Sequence, residues 1–492
     1  MAGTETTSRK DIFNVDKSDF SNWYSEIMKT ADLVDLRYNV KGFVIYRPWL
    51  MRMAKELYSI WESELEKAGH SPTLFPVVIP EENFEKEKNH VQGFSPQVFW
   101  VTEAGEGKLE SRLALRPTSE AAFYHMYSLW IRSHSDLPLK LYQSCAVYRY
   151  ETKATKPLIR GREFLWIEAH DVFADDAGAL AQIREDMATT KAVLHDKLGI
   201  PFIFFRRPAF DKFAGAVDTY AADALMPDKR AVQLPSTHFL GQGFAQAFGL
   251  LFEDQNGSKR VPYQTCHGPP ISRTLAVLAA IHGDRKGLVL PFAIAPIQVI
   301  IVPIVYKGEQ HTVMERCEQL ASKLRRSGLR VEIDDSEKKP GMKFYYWEMK
   351  GVPIRAEIGP RDIESGTVTL VRRDTGHRDK VEFARAAGAI KRIGGEILAN
   401  LRRNASKDLE SHISDANSMG ELIDVLASKG GFVNVPFCSR DMDGEACADK
   451  IAEATEGEVR GTVFDREDAP AGKVCIACGR PARCMVVVAK AY

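Results

Sequence analysis

No stretch of the 492 residues approaches the roughly 20 consecutive apolar positions that a membrane-crossing helix needs, and the opening MAGTETTSRK is polar where a secretory leader would carry an apolar core. A soluble, cytoplasmic protein with no membrane partner is expected. An excess of one charge is missing as well: 66 Lys and Arg balance 66 Asp and Glu. Bulk electrostatics therefore advertise no nucleic acid, and any RNA contact needs cations concentrated locally. Eight cysteines in so long a chain are too few for a disulfide scaffold, which leaves thiols or metal ligation in a reducing compartment. Internal repeats and low-complexity tracts are absent, so a solenoid or a disordered linker protein is excluded. What is present is 45% hydrophobic content, enough for a large buried core and about three domains at roughly 150 residues each.

Periodicity divides the chain into three regions. From about Phe20 to Leu290, long amphipathic helices (Arg47 to Ala68, Ala177 to Leu198) alternate with short apolar runs and hairpins, the pattern of an antiparallel sheet flanked by helices. From Ile297 the pattern becomes βα: IQVIIVPIV, a helix around Glu309 to Ser327, LRVEIDD, a helix around Gly341 to Lys350, and VPIRAEIG, closed by the TVTLVRR and DKVEF hairpin. A charged helix near Ala386 to Leu409 leads to a cysteine-bearing tail. The expected class is α+β, with domains at 1–290, 291–390 and 391–492.

The most informative segment runs from Arg149 to His170. Arg149 and Glu151 follow the apolar run Leu139 to Tyr148, and period-two alternation puts them on one face of a strand. A loop with Lys153, Lys156, Arg160 and Arg162 comes next, and the alternating run Phe164 to His170 returns to the sheet. A hairpin with a basic tip suits a polyphosphate, although Arg-x-Glu alone is far more often a surface ion pair.

This hairpin resembles motif 2 of the class II aminoacyl-tRNA synthetases. LRPTSE (Leu115 to Glu120) is similar to the amino-acid signature of the prolyl-tRNA synthetases of archaeal and eukaryotic type, and TLFPVVIP (Thr73 to Pro80) to motif 1. FAG (Phe213 to Gly215), HFLGQ (His238 to Gln242) and ISRT (Ile271 to Thr274), the last similar to motif 3, follow in the family's order, and the likeness runs to Tyr492. The resemblance implies a ligase that joins proline to ATP, releasing pyrophosphate, and passes the prolyl group to tRNA(Pro), with Mg2+ accompanying the ATP. In-line displacement at a phosphate calls for cations more than for a base. By the resemblance, Arg149 takes the α-phosphate and Arg273 the γ-phosphate, which makes these two the catalytic pair. Arg160 and Gly161 belong to the loop over the bent triphosphate, Glu151 accepts from the adenine amino group, Phe164 stacks on the ring, and Gln233 and Ser236 contact the nucleotide. Proline falls to Thr118, Glu120, Arg149, Trp166, Glu168, His170, Phe213 and His238: an anion and an acceptor for the amine beside flat apolar walls. The spacing of Thr118 and Glu120 suggests an extended segment aiming both inward. Another class II synthetase, such as the threonyl one, and a non-catalytic tRNA-binding paralogue are the alternatives.

The chain departs from the family in two loops. The approach to motif 3 reads TCHGPPISR, where a tryptophan usually precedes the glycine and one fewer residue precedes the arginine, and QLPSTH (Gln233 to His238) replaces a glycine-containing turn. These changes touch Ser236 and His267. Only Asp171 to Gln264 separates motifs 2 and 3, which leaves no editing domain in cis.

In the βα domain, alternation along Val352 to Asp362 places Arg355 and Glu357 on one face with Arg361 at the end, so this strand is the expected anticodon reader, with Glu357 accepting from a guanine edge. Arg372 and Arg373 are expected on phosphate, and a solvated edge strand is the plain alternative. In the tail, Cys438, Cys447, Cys475 and Cys478 pair a wide C-x8-C with a close C-x2-C. Spacing alone leaves zinc and free thiols both open. The family resemblance points to a structural Zn2+. Motif 1 further implies a homodimer, with Pro76 ending a strand at its interface.

Overall fold

The computed structural model describes residues 13, 15–90, 97–305, 310–466 and 471–492. Its spine is an eleven-stranded sheet in the order Ile413–Asp415, Phe432–Phe437, Cys484–Ala489, Glu458–Val463, Ile203–Arg206, Asp218–Leu225, Ala231–Gly241, Tyr263–Gly268, Glu163–Phe173, Leu139–Tyr148 and Ser71–Pro72. The central pairs are antiparallel, and only the outermost pair at each end is parallel.

The Glu163–Phe173 strand shows how sequence sets the two faces. Ile167 and Ala169 enter the main hydrophobic core beneath helices Pro48–Lys67 and Ile271–His282, whereas Trp166, Glu168 and His170 alternate to the opposite, cavity side. Helix Pro48–Lys67 begins where Pro48 occupies the first turn, and it buries the stripe Trp49, Leu50, Met53, Ala54, Leu57, Trp61 and Leu65. Each such side chain contributes roughly 1.5–3 kcal/mol of transfer free energy. The helix read as Ala177 to Leu198 is regular only over Asp176–Lys191 and then widens into a π-turn at Ala192–Lys197. Its stripe Gln182, Asp186 and Thr190 is buried and polar, so apolar periodicity could not mark its end.

The βα region forms a separate five-stranded sheet, ordered Val331–Ile333, Val299–Pro303, Ile354–Ile358, Thr367–Arg372 and Arg378–Glu382. Its first three strands are parallel, as buried apolar runs joined by helices require, and its last two pairings are antiparallel. Helix Gln310–Arg326 covers it; the expected start at Glu309 lies outside the described residues. Helix Ala386–Ser411 then leads to the tail, whose strands join the first sheet through Glu458–Val463 on Ile203–Arg206. Pro76 lies between the short strands Ser71–Pro72 and Val78–Pro80 rather than at the end of one. Among the described residues no helix is long and apolar enough to cross a membrane.

Candidate active site

Every residue assigned above to nucleotide or proline lines one cavity of about 510 Å³ on the open face of the large sheet. At one end stand Arg149, Arg160 and Arg273. Arg149 lies just past the Leu139–Tyr148 strand rather than within it, because its amide bonds to the Arg162 carbonyl across the hairpin (2.9 Å) and Glu151 turns back onto the Arg149 carbonyl (2.7 Å). The guanidinium is braced by Nε on the Pro117 carbonyl (3.0 Å) and sits 5.2 and 5.5 Å from the Phe164 and Trp166 ring centroids. Arg273, in the first turn of Ile271–His282, donates Nε to the Ile159 carbonyl (3.1 Å) and Nη1 to the Gln233 carbonyl (2.9 Å). Burial, and after it the neighbouring Arg149 and Arg160, lower its pKa to about 10, so it is still charged at neutral pH. Crowded guanidiniums repel one another, which gives this end of the cavity an excess of positive charge.

The other end is small and polar-walled. Glu120 opens helix Glu120–Trp130 rather than continuing an extended segment, and Thr118 Oγ1 donates to its Oε2 (2.5 Å). Ser119 donates its amide to Glu168 (3.0 Å), and Gln143 Nε2 donates to the same carboxylate (2.7 Å). Burial raises the Glu168 pKa, but His170 (3.1 Å), Ser119 and Gln143 outweigh it, so the carboxyl stays ionised. Glu168 and His170 thus form a locked floor. The His238 ring lies against Phe213 (4.8 Å) and bonds to Thr219 Oγ1 (2.9 Å) and Ser236 Oγ (3.0 Å). Burial pulls its pKa down to about 3, so the ring is neutral at neutral pH.

The altered approach to motif 3 is absorbed by the sheet. Pro269 accepts from the Ile167 amide (2.9 Å), and Pro270 bridges to Trp166, so the extra residue extends the strand pairing and Arg273 keeps its place. Gly268 packs under the Trp166 ring, where a Cβ would come into ordinary contact at 3.4 Å. His267 turns away toward Trp61 (6.0 Å between rings), holding the Ser236 carbonyl through Nδ1 (3.1 Å). Arg207, Asp211, Lys212 and Thr219 also line the cavity, although no motif signalled them.

Residues 99–282 match the tRNA synthetase class II core domain (G, H, P, S and T), 298–393 an anticodon binding domain, and 419–492 the prolyl-tRNA synthetase C-terminal domain. The proline–tRNA ligase of Thermofilum pendens is 56% identical over 477 residues, covering 96% of this chain and 98% of that protein. The chain belongs to the prolyl-tRNA synthetase family. The Pyrococcus abyssi proline–tRNA ligase is 41% identical over 96% of the chain and 98% of its own length. A solved Giardia lamblia prolyl-tRNA synthetase in complex with prolyl-adenylate superposes with a TM-score of 0.93 at 38% identity, covering 98% of this chain and 100% of that one. Prolyl-tRNA synthetases are class II aminoacyl-tRNA ligases, so the α+β class and the enzyme class read from the sequence both hold, and the threonyl alternative falls away with the match at 419–492.

Elsewhere the structure redirects individual expectations. Arg355 and Glu357 do share a face and bond to each other (3.0 Å), but their strand is interior to its sheet, not a solvated edge. Glu357 is largely buried and also receives Arg378, while Arg355 stacks 3.9 Å from the Phe344 centroid. Arg361 lies exposed on the short helix Pro360–Glu364. Arg372 is engaged by Asp374 and Glu396, and Arg373 is buried on Asp284 (2.7 Å), tying the βα domain to the catalytic domain rather than standing ready for phosphate. In the tail, Cys438, Cys447, Cys475 and Cys478 bring their sulfurs within 4.8 Å of one another, with Cys438 and Cys447 at 3.6 Å. Tetrahedral zinc with bonds near 2.3 Å separates its sulfurs by about 3.8 Å, so the set fits that ion. Arg480 also reaches Cys478 (3.3 Å) and Cys438 (3.5 Å), and lowers the Cys478 pKa to about 6.

Proposed function

We propose that this chain activates proline with ATP in the 510 Å³ cavity and charges tRNA(Pro) with the product. The observation that carries the reading is the pairing, in one cavity, of Arg149, Arg160 and Arg273 with the compact Thr118, Glu120, Phe213 and His238 pocket. The proline carboxylate is already an anion and attacks the α-phosphate without a base. Arg149 neutralises charge on the oxygens of that phosphate, and Arg273 and Arg160 hold the leaving pyrophosphate. Gly161 lies beside Arg160 in the loop over the triphosphate, and Glu151, Phe164, Gln233 and Ser236 seat the adenine and ribose end. Glu120 and Thr118 receive the proline amine, and Trp166, Glu168, His170, Phe213 and His238 enclose the ring. Mg2+ accompanies the ATP as a hard cation held largely by phosphate oxygens.

The division at 1–290, 291–390 and 391–492 assigns anticodon reading to the middle domain, with Arg355, Glu357 and Arg361 as its candidate contacts. Cys438, Cys447, Cys475 and Cys478 would hold a structural Zn2+, whose chemistry is to cross-link the tail. A homodimer agrees with the exposure of Leu74 (75%) and Val77 (40%) on the motif 1 segment. Residues 171–264 are spent on catalytic-sheet strands and helices, which supports the absence of an editing domain in cis. Charging of a tRNA(Pro) transcript with labelled proline tests the proposal: acid-stable prolyl-tRNA formed only with ATP supports it, and no charging by folded, zinc-replete protein refutes it.

A further inference from the structure

Arg207 lines the cavity, yet the chemistry described above does not use it. Its hydrogen bonds lead out of the catalytic domain. Nη2 donates to Asp223 Oδ1 (2.8 Å) and to Gln233 Oε1 (3.1 Å), and Nη1 donates to the main-chain carbonyl of Arg460 (2.8 Å). Asp223 is fully buried opposite Gln233 at a register break in its strand pair. Its second oxygen accepts from Arg460 Nε at 2.7 Å, and Arg460 Nη1 reaches Glu458 at 2.7 Å. Arg460 is itself 6% exposed, and its strand is fixed to the catalytic sheet by the Thr462–Arg206 pairing.

The consequence is read at Gln233. Its main-chain carbonyl is held by Arg273 and its side-chain oxygen by Arg207. An amide whose oxygen faces a guanidinium has its NH2 group on the other side, and Gln233 Nε2 makes no hydrogen bond among the described residues. Without Arg207 in place the amide is free to flip and present an acceptor to a ligand rich in acceptors.

We propose that Arg460, supplied by the tail, is a positioning residue for ATP: through Asp223 and Arg207 it holds the Gln233 amide with its donor end toward the nucleotide. The proposal deepens, and rests on, the assignment of Gln233 to the nucleotide made above.

The test is proline-dependent pyrophosphate exchange by the full chain, with KM for ATP and for proline and kcat measured for Arg460→Gln, Arg460→Lys, Gln233→Ala and the double variants. Arg460→Gln should raise the ATP KM about tenfold, as loss of a charged hydrogen bond does. The proline KM should move by less than about twofold. Arg460→Lys, which keeps the charge on Asp223, should give an intermediate value. In the Gln233→Ala background either Arg460 change should add nothing, because the relay has lost its end. If Arg460→Gln fails to fold, the Arg460→Lys cycle with Gln233→Ala reads the same coupling. An unchanged ATP KM in the Arg460 variants while Gln233→Ala raises it, or effects that simply add in the double variants, reduce Arg460 to an interdomain staple and overturn the proposal. An unchanged ATP KM in Gln233→Ala would remove Gln233 from the nucleotide site, and the relay with it, a distinct result.

Discussion

Replacing Arg273 with alanine is the sharpest perturbation of the phosphate end. The side chain sits at the head of helix Ile271–His282, with Nε and Nη1 spent on the Ile159 and Gln233 carbonyls, so its plane is fixed before any ligand arrives. A preorganised charge aimed at a developing anion is worth ~2.7–4 kcal/mol, or about 10²–10³ in rate. Two effects modify that figure. Removing one cation relieves Arg149 and Arg160, both of which act on Arg273 strongly enough to lower its pKa. Against this, two carbonyl braces disappear, each worth roughly 1 kcal/mol, and Gln233 loosens with them. A fall of about 10²-fold in kcat/KM for ATP in proline-dependent exchange is the expected result, with Arg273→Lys between the variant and the parent because it restores charge but not the two-carbonyl brace. Arg149→Ala should fall by about as much. An Arg273→Ala enzyme within about threefold of the parent would refute the placement of the leaving group beside this helix.

Alanine should support exchange weakly, since it keeps the carboxylate and amine and lacks only ring methylenes worth ~1–3 kcal/mol each; an enzyme that rejects alanine beyond detection would contradict a pocket built this way. Elemental analysis should find one zinc per chain, and Cys475→Ser should lower both the zinc content and the melting temperature; zinc-free protein with unchanged melting removes the site. Glu357→Gln should spare exchange and reduce charging of tRNA(Pro), and Glu357→Ala should in addition cost ~1–3 kcal/mol of stability by stripping a partner from the mostly buried Arg355; equal loss of both activities would take this strand out of anticodon reading. His282 is buried with Nε2 on the Leu198 carbonyl (2.8 Å), and burial depresses its pKa to about 4. Its folded pKa lies below its unfolded value, so the unfolded chain binds the extra proton and stability falls as pH drops from about 6.5 toward 4, by up to ~1.4 kcal/mol per pH unit. Urea titrations of His282→Gln, compared with the parent across that window, should show this slope reduced, and an unchanged slope would contradict it.

Local pattern carried much of the fold. The helix read as Arg47 to Ala68 occupies Pro48–Lys67, and the hairpin strands follow the two alternating runs, with Arg149 and Glu151 falling just past the first, because a buried stripe and a period of two are written in neighbouring residues. Glu120 was misplaced because a Pro-Thr-Ser start suits an extended turn and a helix N-terminus equally well, and burial inside the cavity decided for the helix. Pairing of Glu458–Val463 with Ile203–Arg206 joins segments some 250 residues apart and leaves no local mark. The same is true of the Arg207, Asp223 and Arg460 cluster, whose members are joined only by the fold. Arg149 and Arg273 were singled out by the family resemblance and not by spacing alone, and Arg372 and Arg373 show that a cation beside a candidate binding strand is as readily an internal ion pair.

Amino-acid-dependent exchange of labelled pyrophosphate into ATP, run on the purified chain across all twenty amino acids, tests the central claim most directly. Proline should drive strong exchange with alanine a distant second; preference for threonine or serine, or no exchange with any amino acid, would contradict the account.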